Sequence, residues 1–180
     1  MTILVVPYDP DWPARFEAIR ARIEPVLGET AIAIEHVGST SVPGLAAKPV
    51  IDVDVVVASS REVSVAIERL ATVGYRYRGD LTVTGREAFW SPEGSVKHNL
   101  YVCPQGVLPL RNHLALRHHL RTHPEAVEAY GVLKLRLGAE LDDIDEYIEA
   151  KTPLILGYLA AEGLSEADLA AVAGVNRAPG

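Results

Sequence analysis

The chain has 180 residues, six histidines, one cysteine and a net charge of −7, and 48% of it is hydrophobic. That is enough apolar material for one compact domain core. No apolar run reaches the ~18 residues of a membrane span, the single cysteine excludes an intrachain disulfide or thiolate zinc site, and the acidic balance argues against a non-specific nucleic-acid binder. The first ten residues, M-T-I-L-V-V-P-Y-D-P, show no basic region and no cleavage-like site, so a cytoplasmic location with no membrane partner is expected.

Trp12, Phe16, Ile19, Ile23, Val26 and Leu27 recur every three or four residues and predict a first helix, with Asp11 as N-cap, Pro13 just inside and Gly28 at the stop. Ala31 to Val37 reads as a strand. A loop of small residues follows from Gly38 to Pro49. Val50 to Val57, V-I-D-V-D-V-V-V, is the strongest strand signal in the chain. Val63, Ile67 and Leu70 mark a helix ending near Gly74. Three further strands are expected at 75–78, 86–90 and 96–103, with S-P-E-G at 91–94 as a turn.

From about residue 107 the pattern turns helical, over 114–121, 125–137 and 144–159, with Pro153 expected to break or kink the last and Thr152 placed to cap a fresh start. A short helix at 166–172 and a frayed tail complete the chain. Residues 1–162 thus read as one domain and 163–180 as an appendage. The class is α/β in the α+β sense, a mixed sheet with flanking helices and a helical C-terminal third. That third could cover a site as a lid or form the surface of a homodimer.

Asp52 and Asp54 interrupt an apolar strand. Alternation puts both on one face, with Cα atoms roughly 6.6 Å apart, and Ile51, Val53 and Val55 on the other. Two like charges on a central strand repel unless a cation joins them, and paired carboxylates suit a hard cation such as Mg²⁺ or Mn²⁺. Upstream, Gly38 permits a tight turn. Ser39, Thr40 and Ser41 offer hydroxyls and successive amides for phosphate oxygens, and Lys48 adds charge. The P-loop spacing is absent.

A strand, Gly38-Ser39, twelve residues and then D-V-D on a second strand resembles the nucleotidyltransferase superfamily pattern. Within it, E-H-V-G-S-T-S-V-P-G-L-A-A-K-P-V-I-D-V-D closely resembles the GrpB family (UPF0157 type), which also occurs fused to the C-terminus of some bacterial dephospho-CoA kinases. The resemblance begins at V-P-Y-D-P-D-W-P (6–13). It continues through G-Y-R-Y-R-G (74–79), K-H-N-L-Y-V (97–102), Y-G-V-L-K (130–134) and Y-I-E-A-K (147–151), and fades after about Leu159.

The resemblance implies a nucleotidyltransferase-like fold and transfer of a nucleotidyl group from a nucleoside triphosphate to an unknown acceptor. Asp52 and Asp54 become metal ligands and Gly38 and Ser39 phosphate binders. The superfamily's third carboxylate is missing, since S-V-K-H-N-L-Y-V (95–102) holds no acid. His98 or Asn99 falls near that place, and His98 could serve as ligand or base. Arg86, Lys134 and Lys151, with Arg117 ranked beside them, are further phosphate contacts. A non-catalytic nucleotide- or phosphometabolite-binding module is the alternative. His113, His118, His119 and His123 invite a zinc reading, but no H-E-x-x-H is present, and solvation at a helix end is the better expectation. Cys103 is expected to be a small buried residue.

Overall fold

The computed structural model describes residues 3–177; the last three residues of the expected frayed tail, V-N-R-A-P-G, lie outside them. A five-stranded sheet runs in the order β1-β2-β5-β4-β3. Its strands are β1 (Ala33–Val37), β2 (Ile51–Val57), β3 (Arg76–Gly79), β4 (Glu87–Trp90) and β5 (His98–Pro104). β2 and β5 are parallel and the other pairs are antiparallel, so the sheet is mixed.

Alternation along β2 sorts the two faces. Ile51, Val53, Val55 and Val57 join Leu100, Val102 and Phe89 against α1 (Trp12–Leu27) and α2 (Ser60–Ala71) in one apolar core. The opposite face carries Asp52 and Asp54, and the C-terminal helices cover it. These are α3 (Leu108–Thr122), α4 (Pro124–Glu140), α5 (Ile144–Ala161) and α6 (Glu166–Val175). Among them Leu120, Ala126, Tyr130, Ile155, Leu159 and Val172 form a second core with Val42 and Leu45 of the loop before β2. The helical third therefore lies over the aspartate face. No described helix is long and apolar enough to cross a membrane.

Three local expectations change. Asp11 sits at the N-cap of α1 without a side-chain cap bond; Asp9 Oδ1 instead accepts the Asp11 amide at 2.9 Å, and Asp9 pairs with Arg15. α5 runs through Pro153 without interruption, and Thr152 Oγ1 donates back to the Ile148 carbonyl instead of capping a new helix. α3 starts at Leu108, six residues before the expected start at Leu114. Its N-cap is Val107, which has no polar side chain to announce it. α6 does carry such a signal, a capping box between Ser165 and Asp168.

Candidate functional site

β2 presents its two aspartates to different surroundings. Asp52 lies on the wall of a cavity of about 780 Å³, and its Oδ1 accepts from Asn99 Nδ2 at 2.8 Å. Burial pushes its pKa up, and the Asn99 hydrogen bond opposes that. Asp54 is fully buried, with Oδ2 2.7 Å from His113 Nδ1. Its Oδ1 has no hydrogen-bond partner among the described residues. His113 comes from α3 and closes over this carboxylate. Burial works against its charged form, yet the charge and hydrogen bond of Asp54, with help from Asp52, leave its pKa raised.

The neighbouring strands complete the row. Asn99 of β5 stands opposite Asp52 and Tyr101 opposite Asp54; on β1, Glu35 stands opposite Asp54 and Val37 opposite Asp52. Glu35 is thus a third carboxylate on this face, but Arg117 Nη1 holds it at 2.8 Å and also donates to the His36 carbonyl at 2.7 Å. Arg117 lines the cavity as part of that clamp.

The turn between β1 and β2 is built around Gly38, at φ +67°. A Cβ there would lie 2.9 Å from Asp52 Cγ, so glycine is required both by conformation and by the packed carboxylate. Ser39 and Lys48 line the cavity. Thr40 lines it too and Ser41 does not, and the hydroxyls of both are engaged within the turn. Thr40 Oγ1 is buried at 2.9 Å from His36 Nε2, and Ser41 Oγ donates to the Gly38 carbonyl at 2.6 Å, which holds the turn closed.

Across the cavity stand two lysines from the helical third. Lys134 of α4 is 1% exposed, and its Nζ has no hydrogen-bond partner among the described residues, only the face of Tyr130 at 4.6 Å. Burial, then the charge of Lys151, brings its pKa down to about 6. Lys151 of α5 lies over Tyr147, and burial followed by the Lys48 charge lowers its pKa to about 8. The charge of Asp52 acts the other way on both lysines, and burial outweighs it.

Two expected residues are elsewhere. His98 pairs in register with Ile51 and so faces the α1–α2 core, away from the aspartates; its ring nitrogens engage the Tyr75 hydroxyl and the Val96 carbonyl. It still forms part of the cavity lining. Arg86 lies on the aspartate face but outside the Asp52 cavity, its guanidinium 4.5 Å from the Tyr101 ring centroid, and it lines a separate cavity of about 290 Å³. Of the other histidines, His118 is exposed as expected at a helix end, while His119 is buried. His119 is stacked between His123 and Tyr158 and bonded to Glu162 at 3.0 Å. Ligand atoms of His119, His123 and Glu162 lie within 4.8 Å of one another, but the two imidazoles are nearly parallel, at 16°, so their lone pairs do not converge on one ion. Cys103 is buried, and burial raises its pKa.

A family model described as GrpB protein matches residues 2–161. The chain belongs to the GrpB family. It is 36% identical over 148 residues to the UPF0157 protein YqkA of Bacillus subtilis, covering 82% of this chain and 43% of that protein, so it spans less than half of that relative's length. It is 29% identical over 177 residues to a dephospho-CoA kinase of Mycolicibacterium paratuberculosis, covering 84% of this chain and 44% of the kinase. The crystal structure of the conserved protein GrpB from Enterococcus faecalis matches with a TM-score of 0.78 at 32% identity, over 88% of this chain and 96% of that one. A likeness to the Cid1 poly(U) polymerase with MgGTP, at TM-score 0.48 and 16% identity over 82% of this chain and 45% of that one, is too distant to bear on the chemistry.

Proposed function

We propose that this GrpB-family chain binds a metal–nucleoside triphosphate at Asp52 and transfers its nucleotidyl group to an acceptor hydroxyl. The observation that carries the reading is the charge layout of one cavity. Asp52 stands on the sheet side, with Asp54 buried next to it against His113, and Lys134 and Lys151 stand opposite. A carboxylate on one wall and two buried lysines on the other, one of them without a hydrogen-bond partner among the described residues, fit a hard cation carrying a polyphosphate.

The donor set fits Mg²⁺ or Mn²⁺: oxygen ligands, one of them the orphaned Asp54 Oδ1. Such a cation would polarise the α-phosphate and offset the leaving group's charge. The chain's own residues do the positioning. Gly38 lets the turn reach Asp52, Ser39 and Lys48 approach the phosphates, Lys134 regains its charge against them, and Lys151 adds its own. The acceptor oxygen bonds to the α-phosphorus and the bond to the bridging oxygen breaks. Pyrophosphate leaves with that electron pair, and the hydroxyl proton passes to water.

Two observations favour a second reading, a binding module without chemistry: His113 covers Asp54, and the strand beside β2 supplies Asn99 in place of an acid. The two separate by product. Incubation with a radiolabelled triphosphate, Mg²⁺ and candidate acceptors should release pyrophosphate in the native chain and not in Asp54→Ala. Saturable triphosphate binding without any pyrophosphate would favour the module.

A further inference from the structure

Alternation along β4 places Phe89 in the core, opposite Leu100, and turns Trp90 to the aspartate face, beside Asn99 and in line with Asp52. Two strand spacings separate β2 from β4, so the Trp90 backbone stands about 10 Å from the Asp52 backbone along that row. Trp90 is 51% exposed, although it lines the same cavity as Asp52. Arg78, from the irregular turn of register in β3, lies with its guanidinium carbon 3.6 Å from the Trp90 ring centroid and lines the cavity too. A half-exposed indole topped by a guanidinium, at the edge of a polar cavity, offers a flat π-surface and a positive charge together.

The direction of transfer decides what uses it. The phosphate-facing groups lie on the β1 side and on the helices: the Gly38–Ser39 turn, Lys134 and Lys151. In-line displacement requires the attacking oxygen to enter opposite the departing pyrophosphate. The side of Asp52 opposite that turn is the β5–β4 side, where Asn99, Trp90 and Arg78 stand. We propose that Trp90 and Arg78 form the acceptor subsite, and that the acceptor carries a flat heteroaromatic ring, as nucleosides and nucleotides do. This rests on the nucleotidyl-transfer reading above.

The chain's two tryptophans make the test direct. Trp12 is fully buried, so ring stacking on Trp90 is what a ligand can quench. The full chain is first saturated with Mg²⁺ and the α,β-methylene analogue of ATP, and then titrated with AMP, GMP, CMP and UMP, with ribose 5-phosphate as the base-free control. At least one nucleotide should quench emission where ribose 5-phosphate does not. Trp90→Leu should weaken that nucleotide roughly tenfold or more by calorimetry, the size of one base–aromatic stack, and leave the analogue's affinity unchanged. Trp90→Tyr should restore most of the loss. Quenching by the analogue alone would put the donor's own base on Trp90 and overturn the assignment. So would equal nucleotide affinity in Trp90→Leu, or no quenching by any of the four while the analogue binds. Failure of the analogue to bind the native chain would remove the transfer reading together with this one.

Discussion

Gly38 and Asp52 are in contact through the glycine's missing side chain: a Cβ at residue 38 would meet the Asp52 carboxylate, with Cγ 2.9 Å away. The relationship accounts for the spacing between the glycine-serine turn and the aspartate strand. Val37, the last residue of β1, is registered on Asp52, so the turn that follows folds over that side chain. Gly38→Ala should therefore damage the site twice, through a strained positive φ and through displacement of the carboxylate. We expect a loss of about 1–3 kcal/mol in chemical denaturation, with loss of metal–nucleotide binding in the fraction that stays folded.

Asp52 should show opposite signs in stability and function. Burial raises its pKa, so the folded chain holds a proton that the unfolded chain has released at the same pH. Its contribution to stability is therefore unfavourable at neutral pH and worsens as pH rises from the ordinary carboxylate value through the raised one. Asp52→Asn should raise the melting temperature of the ligand-free chain by about 2–4 °C near pH 7 and remove the added stabilisation by Mg²⁺ and triphosphate.

Lys134 predicts a proton linkage. Its pKa is held near 6, well below that of a free lysine, so it is mostly neutral at pH 8 in the folded chain and charged in the unfolded one. This contribution makes stability rise with pH from about 6 toward the ordinary lysine value, and Lys134→Met should flatten that slope. A polyphosphate near Nζ favours the ammonium. Triphosphate binding at pH 8 should then take up protons, seen as a dependence of the calorimetric heat on the buffer's ionisation heat, and Lys134→Met should abolish most of it.

His113 holds a buried carboxylate, so His113→Leu should cost about 3 kcal/mol by leaving Asp54 charged and uncompensated. Asp54→Leu combined with His113→Leu should recover much of that loss in thermal denaturation. If the double variant is no more stable than His113→Leu, the pair is not what stabilises this region.

The strand with Asp52 and Asp54 was legible because its valines and isoleucine alternate with the acids and fix which face is core. The same logic was available for β5. His98 is in phase with Leu100 and Val102, so it belongs with the core, whereas Asn99 and Tyr101 share the other phase; a shift of one residue separates the two readings. His113 was hidden for a different reason. The first turns of α3 hold Pro109, Arg111, Asn112 and His113 and follow an apolar N-cap, so neither periodicity nor capping marks them as helix. Glu35, Trp90 and Arg78 depend on which strands neighbour β2, and pairing order is not written in local pattern. The lysines were legible as positions on helices, but their burial follows from the helices closing over the sheet.

The central claim, that Asp52 and Asp54 with the facing lysines hold a metal–triphosphate, is tested most directly by Mn²⁺ electron paramagnetic resonance with the α,β-methylene analogue of ATP. Free Mn²⁺ signal should fall on adding chain and analogue together, saturating at one or two ions per chain. It should fall much less with either alone, and Asp52→Ala should restore the free signal. An undiminished free signal, or equal uptake by Asp52→Ala, would contradict the account.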